Sequence, residues 1–228
     1  MNKELNSRIF SKEYEVDNQE RLRLKVMLKM VGTGNEILDL GCRDGTLAKM
    51  FTELGNSVEG VEISDYSIKK AKEKGIKVYD LNLNTNWAEK IEKRYGVVFA
   101  GEVIEHIFET DLFLQNVNKV LKDGGTFIVS TPNLASLGRR VLLLFGKNPV
   151  TETNTREGQA GHVRYFVYDT LKSALEDNGF EVVEFSSDVI NFNKSGLLCS
   201  SRLARVFPAF GRSLIFKVKK VSNPRIFP

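Results

Sequence analysis

The stretch NEILDLGCRDGTLAKMF, residues 35–51, decides how this chain is read. An apolar run closing on Asp39 and Leu40 meets Gly41 and Gly45, with Arg43 between them, and then takes helical spacing. That pattern is a buried strand turning into a helix. Glycine supplies unusual dihedrals and lets a ligand approach the backbone. In an open parallel sheet, ligands bind beyond the carboxyl ends of the strands, so residues 41–45 are expected to sit at such a mouth.

Outward from this turn, strand-like runs at 37–40, 58–62, 77–79, 97–100 and 126–131 alternate with helical patterns at 46–54, 66–74, 87–94 and 112–121. Residues 18–31 read as an opening helix, and the DGG at 123–125 reads as a helix stop with glycine just past the end. Alternation of this kind predicts an α/β fold with a parallel sheet and helices on both faces. After a long insertion at 133–162, for which helices are the expected content, come a helix at 168–178, a strand at 180–187, a helical stretch at 197–207 and a strand at 213–218. The whole of 1–228 is expected to form one domain, with the insertion as a lid.

Three ligands compete for the glycine turn. A nucleoside triphosphate wants G-x-x-x-x-G-K-[ST], but Gly45 is followed by Thr46 and no lysine is in place. A dinucleotide wants G-x-G-x-x-G, and Arg43 stands where the middle glycine admits the pyrophosphate. The third, S-adenosylmethionine, carries no phosphate and asks more of nearby acids. LDLGCRDG resembles the first motif of class I S-adenosylmethionine-dependent methyltransferases, D-x-G-x-G-x-G, with Asp39, Gly41 and Gly45 matching and Arg43 departing. VEGVEIS ends a strand on Glu62, about twenty residues past Gly41, where an acid can accept ribose hydroxyls. Dinucleotide proteins use the same device, so Glu62 alone does not discriminate.

VYDLN puts Asp80 and the Leu81 N–H where the resemblance implies contacts to adenine. VVFAGEVIEHI and LKDGGTFIVSTPN resemble the fourth and fifth strands of the methyltransferase sheet, with Gly96 replacing a frequent aspartate. The similarity runs from about residue 18 to 185. It implies a Rossmann-like, seven-stranded, mostly parallel sheet with an antiparallel last strand. It also implies a donor site lined by Asp39, Gly41, Cys42, Gly45, Glu62, Ile63, Asp80, Leu81 and Glu102.

The chain has two histidines. His106 follows Glu105 in EVIEH, and His162 closes the insertion in GHVRYF; both can face the cleft mouth. Methyl transfer to a hydroxyl needs alignment, exclusion of water and removal of a proton, and an imidazole suits that last task. His106 is the expected catalytic base. Glu102, Glu105, His106 and His162 together can hold a divalent cation, and E-x-x-E-H with a later histidine is similar to the metal set of small-RNA terminal-ribose methyltransferases and to ubiquinone-pathway O-methyltransferases. GHVRYF and the helix after it resemble bacterial small-molecule and glycan methyltransferases, which places Arg164 and Tyr165 near substrate.

The insertion combines Leu134, Leu137 and the run 141–145 with Arg139, Arg140 and Lys147, a mixture that can rest on an anionic membrane surface. From residue 193 onward there is no acid, against Lys194, Arg202, Arg205, Arg212, Lys217, Lys219, Lys220 and Arg225. That end predicts an acidic partner, lipid or phosphorylated substrate before nucleic acid. Cys42 and Cys199 form no disulfide framework, and no signal core opens the chain, so the cytoplasm is the expected compartment, with peripheral membrane contact. The expected activity is O-methylation of a small, lipid-linked or sugar-containing acceptor. The alternatives are a metal-dependent RNA ribose methyltransferase and a non-catalytic module that binds the nucleoside.

Overall fold

Strands whose residues are apolar on both faces need a core on each side. In the computed structural model, which describes residues 18–149, 161–192 and 198–221, they have two. The strands are β1 (Glu36–Leu40), β2 (Ser57–Glu62), β3 (Lys77–Asp80), β4 (Tyr95–Gly101), β5 (Leu121–Pro132), β6 (Phe180–Ser186), β7 (Ile190–Asn191), β8 (Cys199–Ser200) and β9 (Ser213–Lys220). Seven of them form one sheet in the order β3-β2-β1-β4-β5-β9-β6, and β7 pairs with β8. β1 to β5 run parallel, whereas β9 is antiparallel to both β5 and β6. The chain order thus reverses between β1 and β4, which opens a crevice at the carboxyl ends.

The helices are α1 (Asn18–Val31), α2 (Thr46–Glu53), α3 (Asp65–Glu73), α4 (Thr110–Val120), α5 (Leu137–Leu144), α6 (Tyr168–Asp177) and α7 (Ser201–Val206). Successive strand residues point to opposite faces. Val97 and Phe99 of β4 join Ile128, Ile215, Phe51 and the α1 residues Leu24, Met27 and Met30. Val98 and Ala100 join Phe127, Phe216, Trp87 and the buried faces of α4 and α6. Phe51 meets Phe99 edge-on at 5.0 Å, which locks α2 onto the sheet beside the glycine turn.

Two local expectations change. The helix expected at 87–94 is a single 3₁₀ turn, Trp87–Lys90. Trp87, Ala88 and Ile91 are drawn into the core, and Arg94 Nη1 donates to the carbonyls of Ile91 and Glu92 that a helix would need. The DGG is not a helix stop either. α4 passes straight into β5 at Leu121, and residues 122–125 bulge between the Tyr95–Leu121 and Val97–Thr126 pairs, with Gly124 at φ 70°. The helix expected at 197–207 shortens to α7 behind the β7–β8 hairpin. Leu197, Lys194, Arg225, residues 1–17 and residues 150–160 of the insertion lie outside the described residues.

Candidate functional site

The turn after β1 answers the question raised by Arg43. Gly41, Arg43 and Gly45 all take positive φ, 71°, 48° and 75°. The middle position therefore needs a left-handed backbone, which costs an arginine roughly 1–2 kcal/mol. What holds it is Glu62: the Arg43 N–H donates to its Oε2 at 3.0 Å, a charge-assisted bond of about the same worth. Ile63 and Ser64 donate their N–H groups to Oε1 at 2.7 and 2.8 Å. Gly41 is also required sterically, because a Cβ there would lie 2.8 Å from Val103 Cγ2. Gly45 does a different job from the one expected: a Cβ would press on Ala71 of α3 at 3.0 Å, so this glycine lets α2 and α3 close up.

Above the turn lies a cavity of about 440 Å³. Of the expected donor-site residues, Asp39, Gly41, Cys42, Glu62, Ile63, Leu81 and Glu102 line it, and Arg43, Asp44 and Leu47 join them. Gly45 and Asp80 are not among its lining; Asp80 is exposed at the end of β3, and the chain beyond it contributes Asn82, Leu83 and Asn84 instead. Burial pushes the Asp39 carboxyl up to about 8, with the negative charge of Glu62 adding to it. Burial raises the Cys42 thiol too, with Asp39 as the next cause. The wall is thus apolar and acidic, and backbone amides hold one of its carboxylates, Glu62.

Sequence reading missed the contribution of α1. Glu20 and Arg23 line the cavity, and Arg23 Nη1 reaches Glu102 Oε2 at 3.1 Å. The helical spacing of 18–31 was visible, but nothing local says that its polar face covers a crevice. Glu102 is the second non-glycine residue with positive φ, 57°. Its N–H donates to the Ser130 carbonyl at 3.0 Å, and Ser130 Oγ donates to its Oε1 at 3.0 Å. The Ser130 carbonyl, the Ser130 hydroxyl and Arg23 thus hold this strained backbone position in place.

Beyond Glu102 the first cavity runs to His106 and His162, whose rings lie 4.9 Å apart. Glu105 is buried beside them, and neither of its oxygens has a hydrogen-bond partner among the described residues. His162 Nε2 lies 3.8 Å from its Oε1. Burial raises the Glu105 carboxyl, and the charge of Glu102 raises it further. One ligand atom each from Glu105, His106 and His162 falls within 4.8 Å of the others. Glu102, the fourth expected ligand, stands outside this group and faces Arg23 and Ser130. The insertion is tied back here, because the N–H groups of Val163 and Arg164 both donate to the Glu105 carbonyl. Arg164 Nη2 donates to the Phe108 carbonyl, and Tyr165 stands edge-on to His162.

A second cavity, about 710 Å³, adjoins the first. Arg23 and Glu102 line both. Its other walls include Leu137, Arg139, Val141 and Leu142 of α5, Phe192 and Arg212. Arg212 is held by the buried Asp188 at 2.6 Å.

A sheet of this order, with an acid-held glycine turn at its crevice, defines a class I methyltransferase fold. Residues 14–185 match the family model described as a methyltransferase domain, and the chain belongs to that family. It is 39% identical over 160 residues to a ubiquinone biosynthesis O-methyltransferase of Bradyrhizobium sp. (strain ORS 278), covering 69% of this chain and 62% of that one. To the human mitochondrial ubiquinone biosynthesis O-methyltransferase it is 30% identical over 158 residues, covering 65% and 42%. The chain therefore spans less than two thirds of the length of these relatives. The N-methyltransferase NodS from Bradyrhizobium japonicum WM9, solved with S-adenosyl-L-homocysteine, shares the fold with a TM-score of 0.64 at 14% identity, over 95% of this chain and 96% of that one. The chain thus carries a methyltransferase domain on the fold shared by S-adenosylmethionine-dependent methyltransferases, and it is similar in sequence to the ubiquinone-pathway enzymes. Among the described residues no helix is long and apolar enough to cross a membrane.

Proposed function

We propose that the chain methylates an oxygen of a small, hydrophobic acceptor, lipid-linked or sugar-containing, at the junction of its two cavities. The observation that carries this is the sharing of Arg23 and Glu102: a donor in the first cavity and an acceptor in the second meet at those side chains, with His106 at the rim of the first. The donor brings the activated methyl group as a sulfonium, so the protein need only bind, align and take a proton. Glu62 already accepts three N–H groups; of the roughly four acceptor sites of a carboxylate, one on Oε2 remains for a ribose hydroxyl. Asp39, with Oδ2 unpartnered, suits the ammonium end of an amino-acid donor. Leu81 and Ile63 offer apolar walls for a ring.

His106 is the base in this reading. Its Nδ1 lies 3.3 Å from the Gly161 carbonyl. A carbonyl can only accept, so this contact forms with the proton on Nδ1, and the basic lone pair of the imidazole is then on Nε2. In the alternative in which His106 is a ligand and not the base, the nitrogen–nitrogen–oxygen set of His106, His162 and Glu105 fits a borderline divalent ion such as zinc, and the oxygens of Glu105, which have no hydrogen-bond partner among the described residues, are what such an ion would satisfy. When bound, it would lower the pKa of a coordinated hydroxyl. Residues 133–147 would act as lid and as a peripheral contact with anionic membrane.

The test is binding and turnover together. Calorimetry with S-adenosyl-L-homocysteine is expected to show binding that Glu62→Ala sharply weakens, and labelled-methyl transfer to hydroxyl groups of lipid-linked or sugar-containing acceptors is expected to drop sharply in His106→Ala. Retained transfer in His106→Ala overturns the base. Full activity after exhaustive chelation overturns the ion.

A further inference from the structure

Packing sorts the cations of the basic end. Lys217 Nζ donates to the Met30 carbonyl and Lys220 Nζ to the Leu121 carbonyl, while Arg202 and Arg205 stand exposed. Arg212 goes instead to the wall of the second cavity, which Arg23 and Arg139 also line. Glu102 is the acid of that wall among the described residues, and Arg23 pairs with it at 3.1 Å. Three guanidiniums against one carboxylate make this an electropositive cavity.

Arg139 and Arg212 are both pinned through Asn133, which is buried just past β5. The Asn133 N–H donates to the Arg212 carbonyl at 2.8 Å, and its side-chain amide donates to the carbonyls of Ala209 and Gly211 at 3.0 and 2.8 Å. Its own carbonyl accepts from Arg139 Nη1 at 2.9 Å. Asp188, with its side chain 0% exposed, stands behind the wall and fixes the Arg212 guanidinium. Its Oδ2 accepts from Arg212 Nε at 2.8 Å and Nη2 at 2.6 Å, and its Oδ1 accepts from the Ser213 N–H at 3.2 Å. Gly211 makes room for this, because a Cβ there would lie 1.9 Å from Ser187 Oγ.

An ion pair to a buried carboxylate is a weak way to stabilise a loop, since desolvation offsets much of the attraction. It is an effective way to fix a guanidinium on a cavity wall, because two of its five donors take the carboxylate and set its plane. The rest of the wall is largely apolar, with Leu137, Val141, Leu142 and Phe192. A volume of about 710 Å³ suits a small molecule with an apolar part and an anionic one.

We propose that Arg139 and Arg212 form an oxyanion subsite and, resting on the methyl transfer proposed above, that the acceptor carries a phosphate ester which they hold beside the apolar wall. Two guanidiniums reaching from different elements, α5 and the loop before β9, can each take oxygens of a tetrahedral phosphate. A planar carboxylate is satisfied by one fork. The two arginines anchor the acceptor and take no part in proton transfer.

Calorimetry on the full chain loaded with S-adenosyl-L-homocysteine tests this, with glucose 1-phosphate and farnesyl phosphate as probes and glucose, farnesol and acetate as controls. The phosphate esters are expected to bind at least about tenfold more tightly than the controls. Arg139→Gln is expected to weaken them by about tenfold or more. Loss of the Arg212 charge would strand the buried Asp188, so Arg212→Lys is the second variant; it keeps the charge, loses the fork and is expected to weaken the esters by a smaller factor. Both variants are expected to bind S-adenosyl-L-homocysteine as the parent does, which shows that they are folded. Equal affinity for acetate, for farnesol and farnesyl phosphate alike, or unchanged ester affinity in Arg139→Gln/Arg212→Lys would each overturn the proposal. So would tight binding of an RNA oligonucleotide that the small esters fail to displace. Ester binding that the double variant loses, in a chain that transfers no methyl group, would leave the subsite standing and remove the methyl transfer. Transfer to an unphosphorylated acceptor at the parent's rate in the double variant would do the reverse.

Discussion

The loop after β2 and the loop after β4 each bury a carboxylate, and they treat it in opposite ways. Glu62 accepts three backbone N–H groups from its own loop and the glycine turn. Glu105 accepts none among the described residues and is flanked by two histidines. The first carboxylate is a fixture that shapes the first cavity. The second is buried with no backbone N–H on it among the described residues, and His162 Nε2 stands 3.8 Å from it. The same contrast runs through the whole molecule. The β1–β4 half pairs many of its charged groups internally, as Glu62 with backbone amides and Glu59 with tyrosines and lysines, whereas the half with α5 and α7 leaves apolar and cationic groups outward.

The largest expected effect follows from the fixture. Glu62→Ala removes three charge-assisted bonds and the sugar acceptor together, so affinity for S-adenosyl-L-homocysteine is expected to fall by about 100-fold or more, with a lower melting temperature. Calorimetry and a thermal melt check both; unchanged affinity would place the donor elsewhere. Glu105→Gln inverts the pattern: the melting temperature is expected to hold or rise, because a buried orphan carboxyl is replaced by a neutral amide, while turnover falls. His106→Ala is expected to lower turnover by about 100-fold with donor affinity unchanged, measured by single-turnover transfer.

A smaller effect separates Asp39 from Glu62. The Asp39 carboxyl is raised from an ordinary 3.8 to about 8, so below that value the folded state holds a proton the unfolded chain has already lost. Stability from this group is full below the ordinary value and declines as pH rises toward about 8. Asp39→Asn is expected to gain on the parent as pH rises from acid to alkaline conditions, read from urea unfolding. A parallel pH dependence in both proteins would refute it.

The smallest effect lies far from the site. Burial alone would raise Glu59, but hydrogen bonds from Tyr79, Lys77, Tyr95 and Lys93 outweigh it and bring it down to about 2. Its contribution is present above the ordinary carboxylate value and lost as pH falls toward about 2. Glu59→Gln is expected to cost about 1–2 kcal/mol at neutral pH, with donor binding intact.

Much of the fold was legible because its signals are local. The strand runs, the helix-starting turn and the alternation that makes a parallel sheet all lie within windows of ten residues or so. Glu62 was legible for the same reason, as an acid closing a strand. Errors fell where tertiary packing overrode propensity: Trp87 was pulled into the core and shortened a helix, and the DGG became a bulge in β5. Arg23 was not legible, since its partner Glu102 is 79 positions away and joins it only through the crossing of α1 over β4.

The amino-acid order by itself determined the sheet, the glycine turn and the acid that serves it, because period, dihedral need and strand-end chemistry are written within single elements. Only the tertiary structure decided that Arg23 meets Glu102, that Glu105 stands with His106 and His162 while Glu102 does not, and which cations of the basic end face outward. Those outcomes depend on side chains brought together across the sheet, where burial and distance, not neighbouring residues, set what each charged group can do.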